Sequence, residues 1–166
     1  MDGHCPLQEE TSMRIAMGAL ALLGCGGGEK GTDSAAGSAP DDAAASALWD
    51  TIQAASDWQQ VDDWSGVQPS DTAHDAFTQV WWNDTAFDHV TGGGMGDMPV
   101  GSVIFKESYS DAGGASLTGT TAMSKEADGW FWASWTDVGE LRTSGEPGLC
   151  TGCHDAGQDG VLTTTW

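Results

Sequence analysis

The chain has 166 residues, and 25 aspartates and glutamates against 5 lysines and arginines give it a formal charge of -20. A surface this acidic repels nucleic acid and anionic lipid, which excludes both as electrostatic partners. The plain reading is a solvated surface for an exported protein, and the alternative is a docking surface for a basic redox partner protein. Residues 1–24 read as an upstream extension plus a lipoprotein-type signal peptide, residues 25–41 as a flexible tether, and residues 42–166 as one compact domain.

From Met13 the chain runs MRIAMGALALLGC, with one positive charge at Arg14, an apolar stretch from Ile15 to Leu23, and Cys25. That is the layout of a signal peptide, and the apolar stretch falls well short of the ~20 residues that cross a bilayer. Leu22-Leu23-Gly24-Cys25 resembles a bacterial lipobox, so Cys25 is expected to become a lipid anchor, the protein's one membrane attachment. A buried helix with an incidental cysteine is the competing reading, and the glycines at Gly26 to Gly28 would break it. Gly26 after the cysteine points to a periplasm-facing outer-membrane lipoprotein. His4 and Cys5 precede Met13 and fall in the upstream extension. The following GGGEKGTDSAAGSAPD is small, polar and aperiodic, the composition of a tether.

Within the domain, Asp41 and Asp42 can cap a helix whose apolar residues Ala45, Leu48, Trp49, Ile52 and Ala55 recur at helical spacing, ending near Trp58. Four runs rich in aromatic and β-branched residues follow: FTQVWWN from Phe77, GSVIFKESY from Gly101, LTGTTAMSK from Leu117 and GWFWASW from Gly129. Gly and Asp clusters separate them, so this part reads as an antiparallel meander and the fold class as mainly β with flanking helices. Period-2 alternation puts Val103, Phe105 and Glu107 on one sheet face, with Ile104, Lys106 and Ser108 on the other. The run Trp130 to Ala133 is apolar on both faces, which suggests a strand covered on both sides, by core packing or by a cofactor.

Chemistry concentrates near the C-terminus, where Cys150-Thr151-Gly152-Cys153-His154 forms CxxCH. Two thiols on one turn can form thioethers to the two haem vinyl groups, and the adjacent imidazole then reaches the iron. The pattern predicts one haem c per chain, bound by Cys150, Cys153 and His154, with His154 as the iron ligand. A zinc site, which would need ligands beyond the motif, and a disulfide between Cys150 and Cys153 are the two alternatives to haem. The sixth iron position decides function: a strong second ligand makes an electron carrier, while an open position binds small molecules. His74, His89, Met95, Met98 and Met123 are the candidate ligands, and the sequence does not choose among them.

From about Trp49 to Thr163 the chain resembles the cytochrome P-460 family, which includes the β-sheet cytochromes c-prime. The likeness lies in SDTAHDAFTQVWWNDTA, PVGSVIFKESY, GWFWASW and CTGCHDAGQDGVLT, and in a CxxCH close to the C-terminus. It implies an antiparallel β fold with flanking helices around one haem, with an open distal side. In the enzymic branch, which oxidises hydroxylamine, a strand lysine followed by Glu bonds to the haem macrocycle, and Lys106 in SVIFKES looks like that lysine. The c-prime branch lacks the bond and is associated with nitric oxide or carbon monoxide. After the motif, family members carry Asp-Tyr-Val-Phe where this chain has Asp159-Gly160-Val161-Leu162, and no residue here maps onto the distal acid of the enzymic members.

The resemblance thus implies an exported mono-haem cytochrome that binds or oxidises a small nitrogen compound, hydroxylamine or nitric oxide. The alternative is a simple electron-transfer cytochrome with a sixth protein ligand. Enzymic turnover as a hydroxylamine-oxidising oxidoreductase is left open. A third reading, self-association into a homodimer or docking through the nine tryptophans, competes with their use in the core of the sheet.

Overall fold

The computed structural model describes residues 42–94 and 96–162. The expected signal segment, the Cys25 anchor, the tether and Met95 lie outside the described residues. Six strands form one antiparallel sheet in which spatial order follows chain order: β1 (Gln68–Pro69), β2 (Phe77–Trp82), β3 (Val103–Tyr109), β4 (Leu117–Glu126), β5 (Gly129–Thr136) and β6 (Leu141–Gly145). Three α-helices accompany it among the described residues: α1 (Asp42–Ala54), α2 (Asp84–Thr91) and α3 (Gly148–His154). The expected meander and fold class hold.

The helix expected near residue 42 forms and packs on one face of the sheet. Ala45, Leu48 and Ile52, spaced to share one helical face, are buried there with Val103, Phe105, Ala122, Ala133 and Trp135. α1 stops at Ala54, a turn short of Trp58. The Trp58 indole N–H instead donates to the Ile52 carbonyl at 3.2 Å, satisfying one of the orphan carbonyls at the helix end.

The opposite sheet face carries Val80, Trp82, Ile104, Met123 and Trp132, covered by Ala86 and Val90 of α2 together with Met98 and Val161. Asn83 secures that cover. Its side-chain oxygen accepts from Ala86 N at 3.1 Å as the cap of α2 and from Val103 N at 3.0 Å at the start of β3. β5 therefore has apolar neighbours on both sides, Phe131, Ala133 and Trp135 toward α1 and Trp130 and Trp132 toward α3, as its sequence suggested.

The register puts Val80, Lys106, Thr121, Ser134 and Thr143 in one row across β2 to β6. Lys106 alternates with Ile104, so it stands on the α2 and α3 face. Glu107 points the other way, where its Oε2 accepts from the Trp81 indole at 2.8 Å and from the Tyr109 hydroxyl at 3.0 Å. The alternation expected of that strand is the one observed.

Candidate haem-attachment site

CxxCH occupies the last turns of α3, a short helix that starts after Pro147 and runs from Gly148 to His154. Pro147 is its N-cap and has no capping side chain, but its carbonyl accepts from Cys150 N at 2.8 Å and Thr151 N at 3.1 Å and so opens the helix. Cys150 is a half-buried free thiol packed beside the Trp132 cluster, and burial raises its pKa. The two motif cysteines are therefore not bonded to each other. Cys153 is disulfide-bonded rather than free, so thioether formation at that sulfur requires prior reduction.

His154 is held from behind. Its Nδ1 donates to the Gly160 carbonyl at 2.6 Å, which fixes the tautomer and leaves Nε2 as the lone-pair nitrogen. Its ring also meets Trp132 edge to face with centroids 4.7 Å apart. Burial lowers the His154 pKa, the Gly160 bond opposes that shift, and the Lys106 ammonium adds to it, so the imidazole is neutral near pH 7.

The Gly160 carbonyl owes its direction to Asp159. Asp159 is one of two non-glycine residues with left-handed backbone among the described residues, at φ 47°, and Gly160 follows at φ 74°. Its carboxylate is anchored on both oxygens: Oδ1 pairs with Lys125 Nζ at 2.7 Å and Oδ2 accepts from Met98 N at 2.7 Å. Its carbonyl accepts from the Trp130 indole at 2.7 Å, and Lys125 lies over the Trp130 ring at 5.2 Å. The sequence marks Asp159 and Gly160 only as a departure from the family pattern and gives neither them nor Lys125 a part in holding His154. The Asp-Gly dipeptide was the available signal, a turn marker placed shortly after the motif.

Facing α3, the structure brings Lys106 and His74 together. Lys106 has no carboxylate partner among the described residues, and burial pulls its pKa down to about 8. His74 sits in the loop between β1 and β2. Its Nδ1 is 3.4 Å from the hydroxyl of Thr121, the residue paired with Lys106 on the adjacent strand. Burial first, then the Lys106 ammonium, then His154 hold the His74 pKa down to about 3. The His74 and His154 rings lie 6.3 Å apart between centroids and nearly perpendicular, at 87°.

The other ligand candidates behave differently. Met98 and Met123 are buried in the cluster with Trp132 and Val161, and His89 lies on α2. A cleft of about 390 Å³ opens beside α3, bordered by Trp130, Trp132, Glu146, His154, Asp159 and Gly160. Neither His74 nor Lys106 borders it.

Among the described residues no cluster of three or more His, Cys, Asp or Glu side chains is placed to hold a bare metal ion. A porphyrin brings four nitrogens of its own and asks the protein for one or two axial ligands, which two neutral imidazoles can supply. The two imidazoles would fit the axial positions of a haem iron. No protein-family model matches the chain, and no curated protein does.

Proposed function

We propose that this chain is an exported c-type cytochrome, with one haem attached through Cys150 and Cys153, His154 on the iron, and a lipid anchor at Cys25. The observation that carries the reading is the 2.6 Å bond from His154 Nδ1 to Gly160 O, made by the histidine of a CxxCH. That bond would leave Nε2 as the nitrogen available to the iron and would raise the basicity of the ligand, as in hydrogen-bonded ligand histidines. The haem supplies a one-electron redox couple, and the chain's own groups set its potential and access.

Two functions divide at the sixth iron position. The resemblance to the cytochrome P-460 family points to an open position that binds or oxidises hydroxylamine or nitric oxide. Lys106 would be the residue bonded to the macrocycle. Its half-buried place facing α3, with its pKa near 8, leaves a usable fraction of neutral amine at neutral pH. Electron transfer to and from a partner protein is the second reading, and the place of His74 opposite His154 favours it. Of the two, electron carriage is the one the geometry supports better.

The deciding experiment adds hydroxylamine and, separately, nitric oxide to the haem-loaded protein. An electron carrier shows no steady-state hydroxylamine oxidation, and its nitric oxide adduct forms slowly. Sustained oxidation coupled to an electron acceptor, abolished in Lys106→Ala together with a changed absorption spectrum, would establish the small-nitrogen reading instead.

A further inference from the structure

The two non-glycine residues with left-handed backbone among the described residues each adjoin one half of a histidine pair. Asp159 precedes the Gly160 that holds His154, and Asp75, at φ 76°, follows His74. Such conformations cost free energy unless the surroundings impose them, and they cluster where a side chain must be aimed. The His74 loop is built to impose one. Ser70 N donates to Ala76 O at 2.8 Å across its neck, His74 N lies 3.4 Å from the Thr72 hydroxyl, and Asp75 Oδ1 accepts from Ala76 N at 2.8 Å. Thr118 of β4, whose hydroxyl donates to Ser108 O at 3.0 Å, lies near enough to the Asp75 carboxylate to lower its pKa.

Both imidazoles are engaged at Nδ1, His154 by Gly160 O and His74 by the Thr121 hydroxyl, and neither Nε2 has a hydrogen bond among the described residues. The separation is also informative. Two metal–imidazole bonds of about 2.0 Å, with each nitrogen about 1.1 Å from its ring centre, put coaxial rings roughly 6.2 Å apart. The observed centroid distance is 6.3 Å. A ring angle of 87° is open to axial imidazoles, which have no need to be parallel.

We propose that His74 is the second axial ligand of the haem iron, so that the iron is held between His74 and His154, with Thr121 orienting the His74 ring. The proposal rests on haem attachment at Cys150 and Cys153. It assigns Lys106 a place beside the iron without a ligating role, as an uncompensated positive charge that favours the reduced state. Small molecules then reach the iron only when His74 leaves it, and the outward function is electron transfer.

The test uses the full chain matured in a host that attaches c-type haem. Intact mass establishes attachment in the wild type and in each variant. Wild-type protein should give a low-spin ferric spectrum and electron paramagnetic resonance signal without the far-red band of methionine ligation, and its ferrous form should bind carbon monoxide slowly. His74→Ala should turn high-spin and bind carbon monoxide at once, and added imidazole should restore the low-spin state in His74→Gly. Attached haem that is high-spin in the wild type, or that stays low-spin in His74→Ala, overturns His74 as the ligand while leaving attachment intact. Absence of attached haem removes the reading beneath it and the proposal with it. A merely structural imidazole contact would appear as high-spin wild-type iron, which counts against the proposal.

Discussion

The Lys125 ammonium and the Asp159 carboxylate meet at 2.7 Å, with 14% and 13% of their side chains accessible, and this pair holds the loop that orients His154. An ion pair so covered is costly to break from one side, because the remaining charge stays buried without a partner. Lys125→Met should therefore destabilise the fold by about 2–3 kcal/mol in denaturant titration. Asp159→Asn, which keeps an acceptor and tolerates the left-handed backbone, should cost less, about 1–2 kcal/mol. Equal losses in the two variants would contradict the ionic role given to Asp159.

Gly157 lies between the motif and Asp159, and a Cβ there would meet the backbone of Val161 and Leu162. Backbone atoms cannot swing aside as a flexible side chain would. Gly157→Ala should open this loop, lengthen the His154 to Gly160 contact and lower the melting temperature. Gly152, whose Cβ would meet nothing within 4 Å among the described residues, serves as the control, and Gly152→Ala should leave the melting temperature nearly unchanged.

Lys106 is a source of instability kept on the site face. Between pH about 8 and its ordinary 10.5 the unfolded chain holds the proton and the folded chain releases it, so stability rises with pH across that window. Below about 8 both states are protonated and the burial penalty is complete. Lys106→Met should accordingly stabilise the chain before haem attachment by about 1–3 kcal/mol at neutral pH, an advantage that shrinks as pH approaches 10.5. A destabilised Lys106→Met would mean that the ammonium has a favourable partner.

His74 works in the acid range. Above its ordinary 6.5 it is neutral folded and unfolded. Below that the unfolded chain takes up a proton that the folded chain refuses until about 3. Stability of the chain before haem attachment should fall by about 1.4 kcal/mol per pH unit across that window, with His154 adding in the same direction. His74→Gln should reduce the slope in denaturant titrations at several pH values. An unchanged slope would place the acid sensitivity elsewhere.

Local patterns made much of the fold legible. The β2, β3, β4 and β5 strands were each marked by aromatic and β-branched runs bounded by Gly and Asp, and they occur within two residues of expectation. The α1 helix was marked by Ala45, Leu48 and Ile52. The α2 and α3 helices span only 8 and 7 residues, too short for helical periodicity to emerge, and β6 reads LRTSG with little apolar content. At the site, CxxCH was visible because it is local in the chain. The approach of His74 to His154 was not, because it depends on where a loop before β2 lands against a helix near the C-terminus, and a list of candidate histidines and methionines carries no such distance.

The central claim is covalent haem at Cys150 and Cys153. The most direct measurement is intact mass, with the ferrous absorption spectrum, of protein matured alongside a c-type haem attachment system. The account predicts a mass gain of one haem that survives denaturation and is lost when Cys150→Ser and Cys153→Ser are combined. Wild-type protein that emerges without the added mass, its cysteines reduced and available, would contradict it.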